Sequence, residues 1–136
     1  MISTNRKRNR GFTLIELLVV LMVIGVLATM AVARYLHARD RGYVAAAVYD
    51  LDTVRKLLDY YSVDRCAYPH AAASYQDLQN QLVDPYGNPL GTLPHGNTFV
   101  FMSYALDANQ DYIVRVRAMD NGGTILVATP ETIHRE

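Results

Sequence analysis

Gly11-Phe12-Thr13-Leu14-Ile15-Glu16-Leu17-Leu18-Val19-Val20 opens the stretch that decides the fold, and Leu21-Met22-Val23-Ile24-Gly25-Val26-Leu27-Ala28-Thr29-Met30-Ala31-Val32-Ala33 completes it. From Phe12 to Ala33 there are 22 residues and one charge, Glu16. At about 1.5 Å of rise per residue a helix of that length reaches about 33 Å, enough for a bilayer core of about 30 Å. Arg6, Lys7, Arg8 and Arg10 precede it with no acid among them. Cations on that flank favour an N-in, C-out orientation, with most of the chain outside the cytoplasm. A carboxylate near the end of such a segment costs free energy, so Glu16 needs a partner, a cation or a hydrogen-bond donor.

Working outward, the whole chain has 136 residues, 51% of them hydrophobic and 19% charged, which excludes a disordered chain. Thirteen basic residues balance thirteen acidic ones. Because four of the cations crowd the first eleven residues, the remainder is acidic. Cys66 is the single cysteine, so no intramolecular disulfide forms.

Helical periodicity continues past the apolar run. Val44, Ala47, Val48, Leu51, Val54, Leu58 and Tyr61 recur at spacings of three and four and share one face. Asp52 and Lys56 form an i,i+4 pair in the favourable order. Tyr35, Tyr43, Tyr49 and Tyr60 decorate the same segment, and a ring with a polar tip suits a helix–head or subunit interface. No proline occurs before Pro69, so one helix from Phe12 to about Ser62 is expected, with Gly42 as a bend point.

Beyond it, Ser74-Tyr75-Gln76-Asp77 has the form of a capping box and starts a short helix to about Val83. Asp84-Pro85-Tyr86-Gly87-Asn88-Pro89 is dense in turn formers. Thr98–Leu106, Asp111–Met119 and Thr124–Thr129 read as strands, and the joins between them are turn-rich. The expected fold is α+β: a long N-terminal helix, membrane-spanning in its first half, with a small three-stranded antiparallel sheet packed on its second half. The tail from Pro130 to Glu136 is expected to be irregular.

Two processing routes fit the N-terminus. An ordinary signal peptide would use Ala31-Val32-Ala33 as its cleavage site, although the uncharged run is long for that purpose and Glu16 is awkward in it. The decapeptide Gly11–Val20, placed just after a basic leader, instead resembles the class III signal of type IV pilins and type II secretion pseudopilins. That resemblance implies removal of residues 1–11 by a prepilin peptidase cutting between Gly11 and Phe12, and N-methylation of Phe12. It also implies an assembly role for Glu16, the fifth mature residue, which in the family contacts the N-terminal amine of a neighbouring subunit. Residues 12–33 would be retained as membrane anchor and filament core, 34–62 as the amphipathic continuation of the helix, and 63–136 as a globular head. The family usually has proline where Ala33 stands, which removes one source of a kink. The Tyr68-Pro69 pair and the Asp84–Pro89 turn are similar to those of major pseudopilins, with Tyr86 in the place of a tryptophan, and this points toward type II secretion.

Major pseudopilins carry a C-terminal calcium loop. Asp107, Asn109 and Asp111 form an alternating series of oxygen ligands that would begin such a site, though the glycine and later acid of a standard loop are missing. Asp120 and Asn121 would contribute only if the fold brought them close, and a plain hairpin turn is the competing reading. No metal is favoured. His37, His70, His95 and His134 lack zinc spacing. Cys66 is either buried and inert, the favoured reading, or a route to intermolecular pairing. No catalytic constellation or phosphate loop appears, so no enzyme is expected. In the head, Arg65, Arg115, Arg117 and Arg135 face eight acids, leaving no basic footprint for nucleic acid.

The leading expectation is a structural subunit of a pilus-like filament or secretion pseudopilus. Its expected partners are other copies of itself and other pilin-like subunits, the prepilin peptidase and an inner-membrane assembly platform. It would wait in the bacterial inner membrane and then enter a periplasmic or extracellular filament. A secreted soluble binding domain released after Ala33 is the alternative, and a permanently anchored, never assembled membrane protein is a third reading.

Overall fold

The computed structural model describes residues 11–94 and 97–136. Arg6, Lys7, Arg8, Arg10 and His95 therefore lie outside the described residues. The chain divides into two units, one ending at His37 and one running from Ala38 to Glu136.

In the first unit every described residue is exposed. It consists of the start of helix α1 (Leu14–Arg65). Helical assignment passes through Ala33 without a break, as alanine there permits. Thr29 lies within the apolar run, and its hydroxyl donates to the Val26 carbonyl at 2.7 Å, so it carries no unpaired donor toward its surroundings.

In the second unit the rest of α1 buries Val44, Ala47, Leu51, Val54 and Leu58. All five belong to the apolar stripe read from the sequence. A short helix, α2 (Tyr75–Gln81), follows and buries Leu78. Four strands come next: β1 (Phe99–Leu106), β2 (Tyr112–Ala118), β3 (Ile125–Ala128) and β4 (Ile133–Arg135). They form an antiparallel meander in chain order. Alternation along the strands places Phe99, Tyr104, Tyr112, Val114, Val116 and Leu126 in the core with the α1 stripe. Full burial of each large apolar side chain contributes about 1.5–3 kcal/mol.

The sheet thus has four strands, not three. The tail expected to be irregular turns back through Thr129, whose N–H donates to the Thr132 carbonyl at 2.9 Å, and Ile133 pairs with Ala128. Three residues have little strand propensity of their own; the open edge of β3 supplies the missing partner.

Tethers tie the head to α1. The Thr98 hydroxyl donates to the Asp50 carboxylate at 2.6 Å, and Arg55 donates to the Pro130 carbonyl at 2.7 Å. Asn121, in the β2–β3 turn, donates to Asp40 and accepts from Arg39, each at 3.3 Å. The Tyr104 hydroxyl donates to the Pro69 carbonyl at 2.9 Å and fixes the chain leaving α1.

Candidate assembly site

The first turn of α1 is built by Thr13 and Glu16. The Thr13 hydroxyl accepts the Glu16 N–H at 3.3 Å, and the Glu16 carboxylate accepts the Thr13 N–H at 3.4 Å. This is a capping box, reciprocal between N-cap and third helical residue, and it satisfies two donors that a helix start leaves open. The Thr-x-x-Glu spacing is visible in the sequence, although there Glu16 stands out as a membrane acid and, by resemblance, an assembly residue rather than as a cap. A carboxylate at a helix N-terminus is also favoured by the helix dipole. Gly11 and Phe12, which flank the expected cleavage bond, precede the helix and are exposed. Glu16 is exposed as well. Its hydrogen-bond partners among the described residues come from Thr13 alone, so the carboxylate retains capacity for a further donor. From this turn the helix is long and apolar enough to cross a membrane.

The other sequence candidates do not converge. Asp107, Asn109 and Asp111 lie together in the β1–β2 turn, where Asp107 Oδ1 accepts the N–H groups of Asn109 and Asp111 at 2.7 and 2.9 Å. Asp120 and Asn121 sit beyond the opposite end of β2, and the Asp120 carboxylate is occupied by the hydroxyl and N–H of Thr124. Among the described residues no three or more His, Cys, Asp or Glu side chains gather as a metal site. His37, His70 and His134 are exposed. Cys66 is exposed rather than buried: it sits one residue past α1 with φ of 52°, and its N–H closes the helix on the Ser62 carbonyl at 2.8 Å. Its place beyond the last residue of α1 takes it off the helix face that packs on the head.

The turn from Asp84 to Pro89 is more elaborate than its composition foretold. Asp84 Oδ1 accepts the N–H groups of Tyr86 and Asn88, each at 2.8 Å, and Oδ2 accepts the Asn88 side-chain amide at 2.9 Å. The Asn88 amide, and then these N–H groups, hold the Asp84 carboxyl below the usual carboxylate range. Gly87 takes φ of 87°, which suits a residue without Cβ.

Residues 6–32 match the family model described as the prokaryotic N-terminal methylation motif. The chain is 30% identical over 123 residues to the type II secretion system core protein G of Pseudomonas aeruginosa, covering 76% of this chain and 87% of that protein. The chain belongs to the type II secretion core protein G family. Proteins of that name from Escherichia coli K12 and Vibrio cholerae are 29% and 27% identical, over 79% and 71% of this chain and 72% and 73% of theirs. No solved structure is a significant match to it. Membership makes the chain a pseudopilin, a pilus-like structural subunit, as the Gly11–Val20 motif and the Asp84–Pro89 turn led one to expect. The secreted-domain alternative is not favoured. A hydrophobic N-terminal helix fits anchoring in a membrane, and the family implies assembly with other pseudopilin subunits.

Proposed function

We propose that the chain is made as a precursor, inserted N-in and C-out in the bacterial inner membrane, and cut between Gly11 and Phe12 by a prepilin peptidase, which also methylates the Phe12 amine. The mature subunit then leaves the membrane through an assembly platform and joins a pseudopilus through residues 12–33. The observation that carries this reading is the Thr13–Glu16 box at the head of an unpartnered apolar helix.

The physical logic runs through Glu16. In lipid its carboxylate is costly, and two Thr13 donors lessen that cost. Cleavage creates a charged amine on Phe12, and methylation leaves the charge in place. An amine and a carboxylate that pair between subunits in a filament core cost less together than either does alone in lipid. The box therefore serves as the resting partner of a carboxylate whose working partner is an amine.

Glu16→Ala tests this. The variant is expected to insert into membranes at the wild-type level and to give no filaments in sheared fractions. Filaments at the wild-type yield would refute the assembly role of Glu16.

A further inference from the structure

The apolar run of α1 ends at Ala33, and the first buried residue of the helix is Val44. Between them stand Arg34-Tyr35-Leu36-His37-Ala38-Arg39-Asp40-Arg41-Gly42-Tyr43, with three arginines against one acid. None of these residues is buried. In the first unit Arg34 and Tyr35 are exposed, Tyr35 to 66%. In the second unit the arginines divide. Arg39 is occupied: Asp40 stands 3.7 Å from it, Asn121 accepts from it at 3.3 Å, and its guanidinium lies 5.8 Å from the centre of the Tyr43 ring. Arg41 is exposed and, like Arg34, has no ion-pair partner among the described residues.

Cations at this place work against the orientation of the chain. With the N-terminus inside, the cationic excess belongs on the cytoplasmic flank, where Arg6, Lys7, Arg8 and Arg10 supply it. Arg34 and Arg41 follow the span on the other flank and weaken that asymmetry. They form no ion pair that would explain their presence by stability of the head. Tyr35 and Tyr43 accompany them, and tyrosine favours the boundary between hydrocarbon and water, its ring on the apolar side and its hydroxyl on the wet one. A guanidinium at that depth meets phosphate oxygens, which its planar fork bonds through two N–H groups at once.

We propose that Arg34 and Arg41, flanked by Tyr35 and Tyr43, bind the headgroups of anionic phospholipid in the outer leaflet, each arginine meeting a headgroup of its own. The inference rests on the N-in, C-out membrane reading above. Arg39 takes no part, because the head already holds it through Asp40 and Asn121. The charge that flanks the span then changes sides at processing. A cut after Gly11 removes the four leader cations, and the lipid-bound arginines become the main cations beside the hydrocarbon.

The full chain reconstituted in phosphatidylcholine vesicles doped with phosphatidylglycerol tests this. In a Cys66→Ser background, a fluorophore on Leu36→Cys is quenched by nitroxide-bearing lipid of one headgroup or the other, and it reads the flank opposite the leader cations. Quenching is expected to favour phosphatidylglycerol about fivefold and to lose that preference in high salt. Arg34→Gln and Arg41→Gln should each remove part of the preference and together abolish it, whereas Arg117→Gln, on the sheet, should leave it unchanged. Equal quenching by the two lipids, or a preference that survives the double substitution, would overturn the proposal and assign the arginines to a protein partner. A chain that fails to float with vesicles of either composition would refute the membrane reading itself, and the proposal with it.

Discussion

In the proposed assembly Glu16 serves two states. Its capping bonds require only an acceptor, whereas pairing with an amine requires charge. Glu16→Gln keeps acceptor capacity and removes charge. It should therefore insert normally and assemble poorly in shearing assays; assembly equal to wild type would mean that hydrogen bonding alone suffices. Asp84 makes a second prediction, outside the membrane segment. Its carboxyl titrates below the unfolded value of 3.8, chiefly because of the Asn88 side-chain amide. A depressed folded value contributes stability that is fully present above the unfolded value and lost as pH falls through the folded one. Asp120 is depressed likewise, first by the Thr124 hydroxyl. The melting temperature of the full chain in detergent should fall as pH drops below about 4. In Asp84→Asn the fall should be smaller; an unchanged acid profile would count against the Asp84 contribution.

At the scale of elements, local signals and tertiary ones diverge. α2 was readable because Ser74 is a true N-cap, its hydroxyl oxygen accepting the Asp77 N–H at 3.1 Å. Ser74→Ala should cost about 1 kcal/mol of stability by denaturant titration, and a loss near zero would place the helix's stability in packing alone. β4 was not readable, because its register comes from the β3 edge rather than from Ile133-His134-Arg135. The Asp107–Asp111 segment was ambiguous in sequence: an acid that organises a turn and an acid that begins a cation loop have the same spacing. In the structure one Asp107 oxygen takes two backbone N–H groups, an arrangement that both readings share. On the turn reading millimolar calcium should leave melting of the detergent-solubilised chain unchanged, and a clear upward shift would reinstate a cation site. The buried face of α1 followed directly from periodicity. The outward placement of Tyr49 and Tyr60 did not, since a tyrosine fits either side of an amphipathic helix until its neighbours are known.

For the whole molecule, the zero net charge belongs to the full 136-residue sequence, and the proposed cut after Gly11 would change it. Loss of residues 1–11 removes Arg6, Lys7, Arg8 and Arg10 and no acid, leaving nine basic side chains against thirteen acidic ones. On the proposed processing the leader's cations would act on orientation and the remaining subunit would be acidic, with eight of its acids after residue 62. The N-terminal motif and the long helix were legible because membrane length and apolar run are properties of consecutive residues. The most direct test is the mass and N-terminal sequence of the mature chain extracted from membranes. The expected product is a chain that begins at N-methylated Phe12. A chain beginning at Met1 or at Arg34 would contradict it.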